Sequence, residues 1–240
     1  MKLPEAPRCL MNLKKMIKSQ LSYARNERGN AMMLSLFIVI CFVFLAFVFF
    51  DIFSTYAYKN TGQNAADAAA VAASSEAKDI YDEELSERLE EEFSSFAKEV
   101  REAAQDKEVS IREEAESRGA PDVVVDKIMD DDVTLTNEAL LFFFTDAEIT
   151  NIMCGAIKDN WSDIEDKANY FAQENGAKEV IEMKFPYGQS FEIFASVNTE
   201  TTFVTVPDQA FAPGERNIRT EASSEIPILE NVQFQYGSCH

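Results

Sequence analysis

The sequence predicts an α+β protein: one N-terminal transmembrane helix that continues into an extracytoplasmic helix, then short helices and a C-terminal antiparallel β-meander. Three observations predict this fold class. Residues 31–50 carry no charge, residues 51–118 combine many alanines with apolar residues at helical spacing, and the last 60 residues alternate apolar and polar side chains. We therefore expect a leader (1–30), a membrane helix (31–50), an outer helical stretch (51–118) and an α+β body (119–240).

The segment 31–50, AMMLSLFIVICFVFLAFVFF, contains only Ser35 and Cys41 as side chains that are not fully apolar. As a helix it extends about 30 Å, at ~1.5 Å per residue, which is the thickness of a bilayer's hydrocarbon core. A buried core helix is one alternative, although a core helix is rarely apolar on every side. A cleavable signal peptide is the other, with Thr55-Tyr56-Ala57 as its cleavage sequence, but its apolar region is normally only about 7–15 residues long.

The charges on the two sides of this segment predict its orientation. The leader carries seven basic and two acidic residues, a net of +5, whereas residues 51–240 carry 15 basic and 40 acidic residues, a net of −25. Five basic residues lie in the 20 positions before the segment and only Lys59 in the 20 after it. Because basic flanks stay in the cytoplasm, we expect a single-pass protein of the cell membrane with a cytoplasmic N-terminus and an extracytoplasmic body. The acidic balance excludes a simple nucleic-acid binder.

The outer helical stretch contains a stripe of small side chains. Four alanines follow one another at a spacing of four residues: Ala65, Ala69, Ala73 and Ala77. Such a stripe allows another backbone to approach closely. It either packs against this protein's own body or against partner helices, including those of a second copy, and the sequence leaves both open. Further on, seven apolar residues between positions 80 and 104 predict one face of an amphipathic helix.

Turn and capping signals divide the body. Gly119-Ala120-Pro121 should interrupt the helices, and two capping boxes, Thr145 to Glu148 and Ser162 to Glu165, should open two more, the second ending at Gly176. We interpret Leu140 to Phe144 as core, with a partner-binding or membrane-surface role as the alternative. Alternating apolar residues predict strands at 180–185, 191–197 and 218–229, and an extended run at 203–206.

Candidate catalytic and metal-binding groups are few. The single histidine, His240, is the last residue, and the sequence contains no phosphate-binding glycine loop and no CxxC or HExxH pair. Asp130-Asp131-Asp132 is a weak calcium candidate because no glycine and distal glutamate follow in register. We therefore expect no catalytic, cofactor or metal site and no enzymatic activity. Cys154 and Cys239 share the predicted outer side, where they either form one disulfide or remain two free thiols.

Three short segments resemble the N-terminal module of the TadE/TadG-like family of tight-adherence (Flp) pilus assembly proteins. These are RNERGNAM at 25–32, Asp51 directly after the apolar span, and QNAADAAA at 63–70. The resemblance covers about residues 25–77. It implies a pilin-like α+β body and a structural, pseudopilin-like role, with the lipid bilayer and other pilus assembly or pilin-like proteins as partners. A signal-anchored binding or sensor domain that acts independently of pili is the alternative.

The resemblance also identifies a processing site. Pilin-like members are cut after a glycine where the chain meets the membrane, and a glutamate follows five residues on. Here Gly29 and Asn30 would flank the cut, but the fifth residue is Leu34. The chain therefore resembles the uncleaved TadG type more than the TadE pseudopilin type, although it contains no DxSxS metal motif of the longer TadG-like members.

Overall fold

A computed structural model describes residues 30–130, 136–206, 210–212 and 214–239. Residues 1–29 of the leader, including Gly29, and the residues Asp131, Asp132 and His240 lie outside the described residues. The elements follow in the order α1 (Asn30–Lys107), α2 (Ile111–Ser117), α3 (Asp122–Asp130), α4 (Asn137–Phe143), α5 (Asp146–Asp159), α6 (Trp161–Glu174), β1 (Glu179–Lys184), β2 (Glu192–Glu200), β3 (Asn217–Glu225) and a closing 3-10 turn (Tyr236–Cys239). This order confirms the predicted fold class.

The chain divides into two compact units. The first, the anchor unit, contains residues 30–55 together with 202–206 and 210, among those described. The described side chains at 31–50 are all exposed. Within the described residues, α1 is long and apolar enough to cross a membrane, and its most apolar stretch contains no buried residue. A core helix would be mostly buried, so the structure disfavours that alternative.

The second unit, the body unit, contains residues 56–130, 136–201, 211–212 and 214–239 among those described. Its strands form one antiparallel sheet in the order β1-β2-β3, which is the predicted meander. The central strand β2 is buried on both of its faces, because Ile193, Ala195 and Val197 alternate with Phe194 and Ser196, and all five are inaccessible to solvent or nearly so.

The alanine stripe packs against the body unit itself. Ala65, Ala69, Ala73 and Ala77 have no exposed surface and belong to the hydrophobic core of the body unit. Gln63 Nε2 donates to the carbonyl oxygen of Glu221 at 3.2 Å. Of the two alternatives left open by the sequence, packing within the chain therefore accounts for the stripe, and these four side chains are not accessible to a partner helix in this structure.

The apolar run at 140–144 contributes to the core, as predicted. Leu140 is fully buried in the middle of α4, and the centroids of the Phe142 and Phe143 rings lie 5.4 and 5.6 Å from that of the Phe96 ring of α1. Together, helices α4 and α5 are long and apolar enough to cross a membrane, but they meet at a bend of 106°. Their burial assigns them to the core of the body unit.

The predicted break at Gly119-Ala120-Pro121 is confirmed, since it separates α2 from α3 and Gly119 has φ +80°. An earlier break, at Glu108 with φ +56°, was not predicted, and Ser110 then caps α2 with a capping box. Three other predicted boundaries were wrong. Ser162 lies inside α6, which starts at Trp161 with Asn160 as its N-cap and no side-chain cap bond. Residues 203–206 form no strand, and β3 ends at Glu225 instead of residue 229. In contrast, the capping box of Thr145 and Glu148 and the helix end before Gly176, with φ +89°, are confirmed.

Candidate functional site

Two stretches of α1 are candidate functional surfaces. One is the exposed apolar span, 31–50, and the other, from Gly62 onward, packs against the sheet. At the sheet, Gly62 marks the closest approach. A Cβ atom at this position would lie 2.8 Å from Thr199 Oγ1 and 2.9 Å from Thr220 Oγ1. Glycine therefore fits here as it stands, whereas any other residue would require the Thr199 and Thr220 side chains to shift.

Side-chain contacts continue along the same face of α1. Ser74 Oγ donates to the carbonyl oxygen of Ser224 at 3.1 Å, and the Tyr81 hydroxyl donates to the carbonyl oxygen of Pro227. The Tyr81 ring also packs against Phe191, with centroids 6.2 Å apart. Burial raises the pKa of Tyr81, and the neighbouring Asp82 charge adds to this effect. The phenol therefore remains a hydrogen-bond donor, and the helix and sheet are joined by polar bonds as well as by apolar packing.

Asp51 organises the anchor unit directly after the apolar span. Its carboxylate accepts hydrogen bonds from the backbone N–H of Val204 at 2.7 Å, the backbone N–H of Thr205 at 3.1 Å and the Thr205 hydroxyl. One turn later, Ser54 Oγ donates to the carbonyl oxygen of Thr202 at 3.4 Å. These bonds help to explain why 203–206 is not a strand, because the N–H groups of Val204 and Thr205 bond to Asp51 and not to a neighbouring strand.

A second buried carboxylate joins α1 to α2. Glu114 is 3% exposed, and it accepts hydrogen bonds from Lys107 Nζ at 2.7 Å and from Arg118 Nε at 3.0 Å. The bond from Lys107, followed by that from Arg118, holds the pKa of Glu114 below its usual value. The charged carboxylate therefore stabilises the folded corner between these helices.

The structure brings Cys154 and Cys239 together. Cys154 of α5 and Cys239 of the closing turn form a disulfide in the structure, with Cα atoms 5.4 Å apart. The Lys158 ammonium also donates to the carbonyl oxygen of Cys239. This places the pair named by the sequence analysis within bridging distance. Cys41, in contrast, is an exposed free thiol within the apolar span.

Residues 30–130 and the other described segments contain no group of three or more His, Cys, Asp or Glu side chains placed to hold a metal ion. Of the predicted processing site, Gly29 lies outside the described residues and Asn30 is the first residue of α1. Gly62, Glu114 and the hydrogen bonds of Asp51 were missed by the sequence analysis. The sequence does contain a signal for Gly62, because it is a lone glycine directly before the alanine-rich segment that starts at Gln63.

Comparison with known proteins identified one similarity. No curated protein and no solved structure matches the chain. Residues 29–77 match the family model described as "Putative Flp pilus-assembly TadE/G-like", which confirms the resemblance found in the sequence. The matched segment contains the apolar span, Asp51, Gly62 and the whole alanine stripe. The N-terminal module of α1, about a fifth of the chain, is therefore similar to TadE/G-like Flp pilus-assembly proteins.

Proposed function

We propose that the protein is a membrane-anchored structural component of a Flp pilus or a related secretion machine. The observation that carries this proposal is the match of residues 29–77 to the pilus-assembly family model. That segment contains both the apolar span and the stripe that packs on the sheet. The segment similar to the family therefore includes residues of both the anchor unit and the body unit.

The proposed mechanism is packing. Residues 31–50 hold the chain in the membrane, with the leader in the cytoplasm and residues 51–240 outside it. The charge difference between a leader of +5 and an outer part of −25 supports this orientation. The acidic surface keeps the body hydrated and offers charged contacts to other assembly proteins.

We further propose that lateral contacts with other pilus proteins, or with a second copy, use the exposed span. The alanine stripe does not supply this contact, because the protein's own body unit covers it. Ala31, Ser35 and Ala46 are the small side chains of the span, and small side chains allow close approach between membrane helices.

Co-purification tests the assembly role. The full chain with a C-terminal tag, expressed at its native level, is cross-linked in cells, extracted in detergent and purified. We expect the motor or platform proteins of the pilus to be enriched. In a matched control, residues 31–50 are replaced by an unrelated apolar helix of the same length, and this enrichment should fall. A ligand-dependent shift in melting temperature without any such partner would instead support the independent binding or sensor domain.

The leader's fate separates the two pilus-related roles. Since Leu34 replaces the glutamate of processed members, we propose that the leader is retained, as in a permanently anchored TadG-like factor. Intact-mass measurement of the membrane-extracted protein should give a start at residue 1 or 2. A start at Asn30 would instead indicate a processed pseudopilin. A start at Tyr58 would show that the span is removed and would contradict the membrane-anchored proposal.

A further inference from the structure

Residues 202–206, TFVTV, form the segment that Asp51 holds. This segment contains no charged side chain, and within the anchor unit it bonds to Asp51 and Ser54 of α1. Val204 is 58% exposed although its backbone N–H is bonded. Ile52 and Phe53, directly after Asp51, are 58% and 70% exposed. Apolar side chains are therefore exposed on both chain segments that meet at Asp51.

The depth of this contact follows from the length of the span. Residues 31–50 extend about 30 Å as a helix and fill the hydrocarbon core, so Asp51 lies at the boundary with the headgroups. Two backbone N–H groups of the segment bond to the Asp51 carboxylate at 2.7 and 3.1 Å, so the segment is held at the same depth. Backbone that reaches into the hydrocarbon is tolerated only where its polar groups are paired, and these two N–H groups are paired.

The carboxylate is itself shielded by the segment. Asp51 is only 8% exposed because Val204 and Thr205 surround it with three donors. A charged side chain beside the hydrocarbon is costly unless it is paired. The segment thus supplies donors to Asp51, and Asp51 supplies acceptors to a segment whose Val204 side chain is exposed while Phe203 and Val206 are half-buried.

We propose that residues 202–206 form a second contact with the bilayer, at the level of the headgroup and upper acyl chains, which Asp51 fixes against the end of the span. The occupant of this apolar surface is lipid of the membrane that α1 crosses. The segment is continuous with the exposed span through Asp51, and no charged residue lies between Glu200 and Asp208. The inference rests on the membrane placement in the proposed function and is independent of the pilus partners.

Single tryptophans measure this depth directly. The only native tryptophan is removed by Trp161→Phe, and Val204→Trp is introduced into the full chain in vesicles of phosphatidylethanolamine and phosphatidylglycerol. Two comparison chains carry Phe44→Trp in the span and Tyr170→Trp at an exposed position of the body unit. Bromines on the acyl chains, close to or far from the headgroup, quench tryptophans at matching depth.

The expected result is a strong loss of emission for Trp at 44, a loss at 204 that is at least twice that at 170, and greater quenching at 204 by the shallow than by the deep bromines. Asp51→Asn should reduce the quenching at 204 and leave that at 44 unchanged, because the amide offers one acceptor oxygen where the carboxylate offers two. An unchanged melting temperature of each variant verifies folding. A nitroxide attached to Val204→Cys, in a chain whose Cys9 and Cys41 are replaced by serine, provides a second depth measurement through its accessibility to oxygen.

The outcomes distinguish the two proposals. Quenching at 44 without quenching at 204 would overturn the lipid contact and leave the anchor in place. A blue-shifted but unquenched emission at 204 would show that protein, and not lipid, covers this surface. This result would also overturn the proposed lipid contact. No quenching at 44 would contradict the membrane placement itself.

Discussion

Two glycines inside helices show how a single residue determines the joint between α1 and the sheet. Gly62 lies in α1 and Gly155 in α5, and glycine lowers helix stability at both positions. They differ in their surroundings: a Cβ at Gly62 would meet Thr199 and Thr220, whereas a Cβ at Gly155 would meet nothing within 4 Å. The glycine at position 62 is therefore a packing requirement, and the one at 155 is not.

We expect Gly62→Ala to destabilise the protein by about 1–2 kcal/mol. Overpacking costs typically ~1–3 kcal/mol, and the improved helix propensity returns up to about 1 kcal/mol of it. Gly155→Ala is the matched control and should leave stability unchanged or raise it by up to about 1 kcal/mol. Thermal or denaturant unfolding of both full-length variants in detergent measures the difference. Equal stabilisation by the two alanines would contradict the close approach of helix and sheet.

Glu114 gives the corner between α1 and α2 a pH dependence. Because Lys107 and Arg118 lower its pKa in the folded state, its stabilising effect is complete above the ordinary carboxyl value of about 4.3 and is lost as the pH falls through the lowered value. Glu114→Gln should therefore destabilise the protein at neutral pH and make the loss of stability below pH ~4 shallower. Melting temperatures measured over this range test the prediction. The exposed Glu102→Gln is the control, and an identical acid profile for both variants would refute the role of Glu114.

At the scale of elements, the disulfide ties α5 to the C-terminal turn. Its cysteines are 85 residues apart in sequence, and closing so long a loop restricts the unfolded chain. Cys154→Ser should lower the free energy of unfolding by about 2–4 kcal/mol, whereas Cys41→Ser in the exposed span should not change it. Unfolding with and without reductant, together with intact mass under non-reducing conditions, measures both effects. If reductant leaves the wild-type stability unchanged, the bridge does not form in the native protein.

The elements predicted correctly from sequence are those whose signals are local. The uncharged span, the box of Thr145 and Glu148, and Gly176 each determine structure through neighbouring residues. Residues 203–206 were predicted as extended from β-propensity alone, and the bonds to Asp51, about 150 residues earlier in the chain, are a tertiary effect without a local signal. The alanine stripe was recognised but not its partner, because small side chains indicate close approach without indicating what approaches.

At the scale of the whole molecule, the opposite charges of leader and outer part predict a fixed topology. Tyr170→Cys, at an exposed position of α6, should react in intact cells with a membrane-impermeant maleimide, after removal of the outer membrane where one exists. Ser22→Cys in the leader should react only after permeabilisation. Both variants are made with Cys9 and Cys41 replaced by serine. Reversed reactivity would place the acidic part in the cytoplasm and contradict the orientation.

The most direct test of the central claim is the number of surface pili in cells that lack this protein. In an organism that also encodes the other Flp pilus proteins, the gene is deleted and restored with wild type or with a chain in which residues 31–50 are deleted. We predict that electron microscopy will show few or no pili after deletion, recovery with wild type and no recovery without the span. Normal pili in cells verified to lack the protein would contradict its role in pilus assembly.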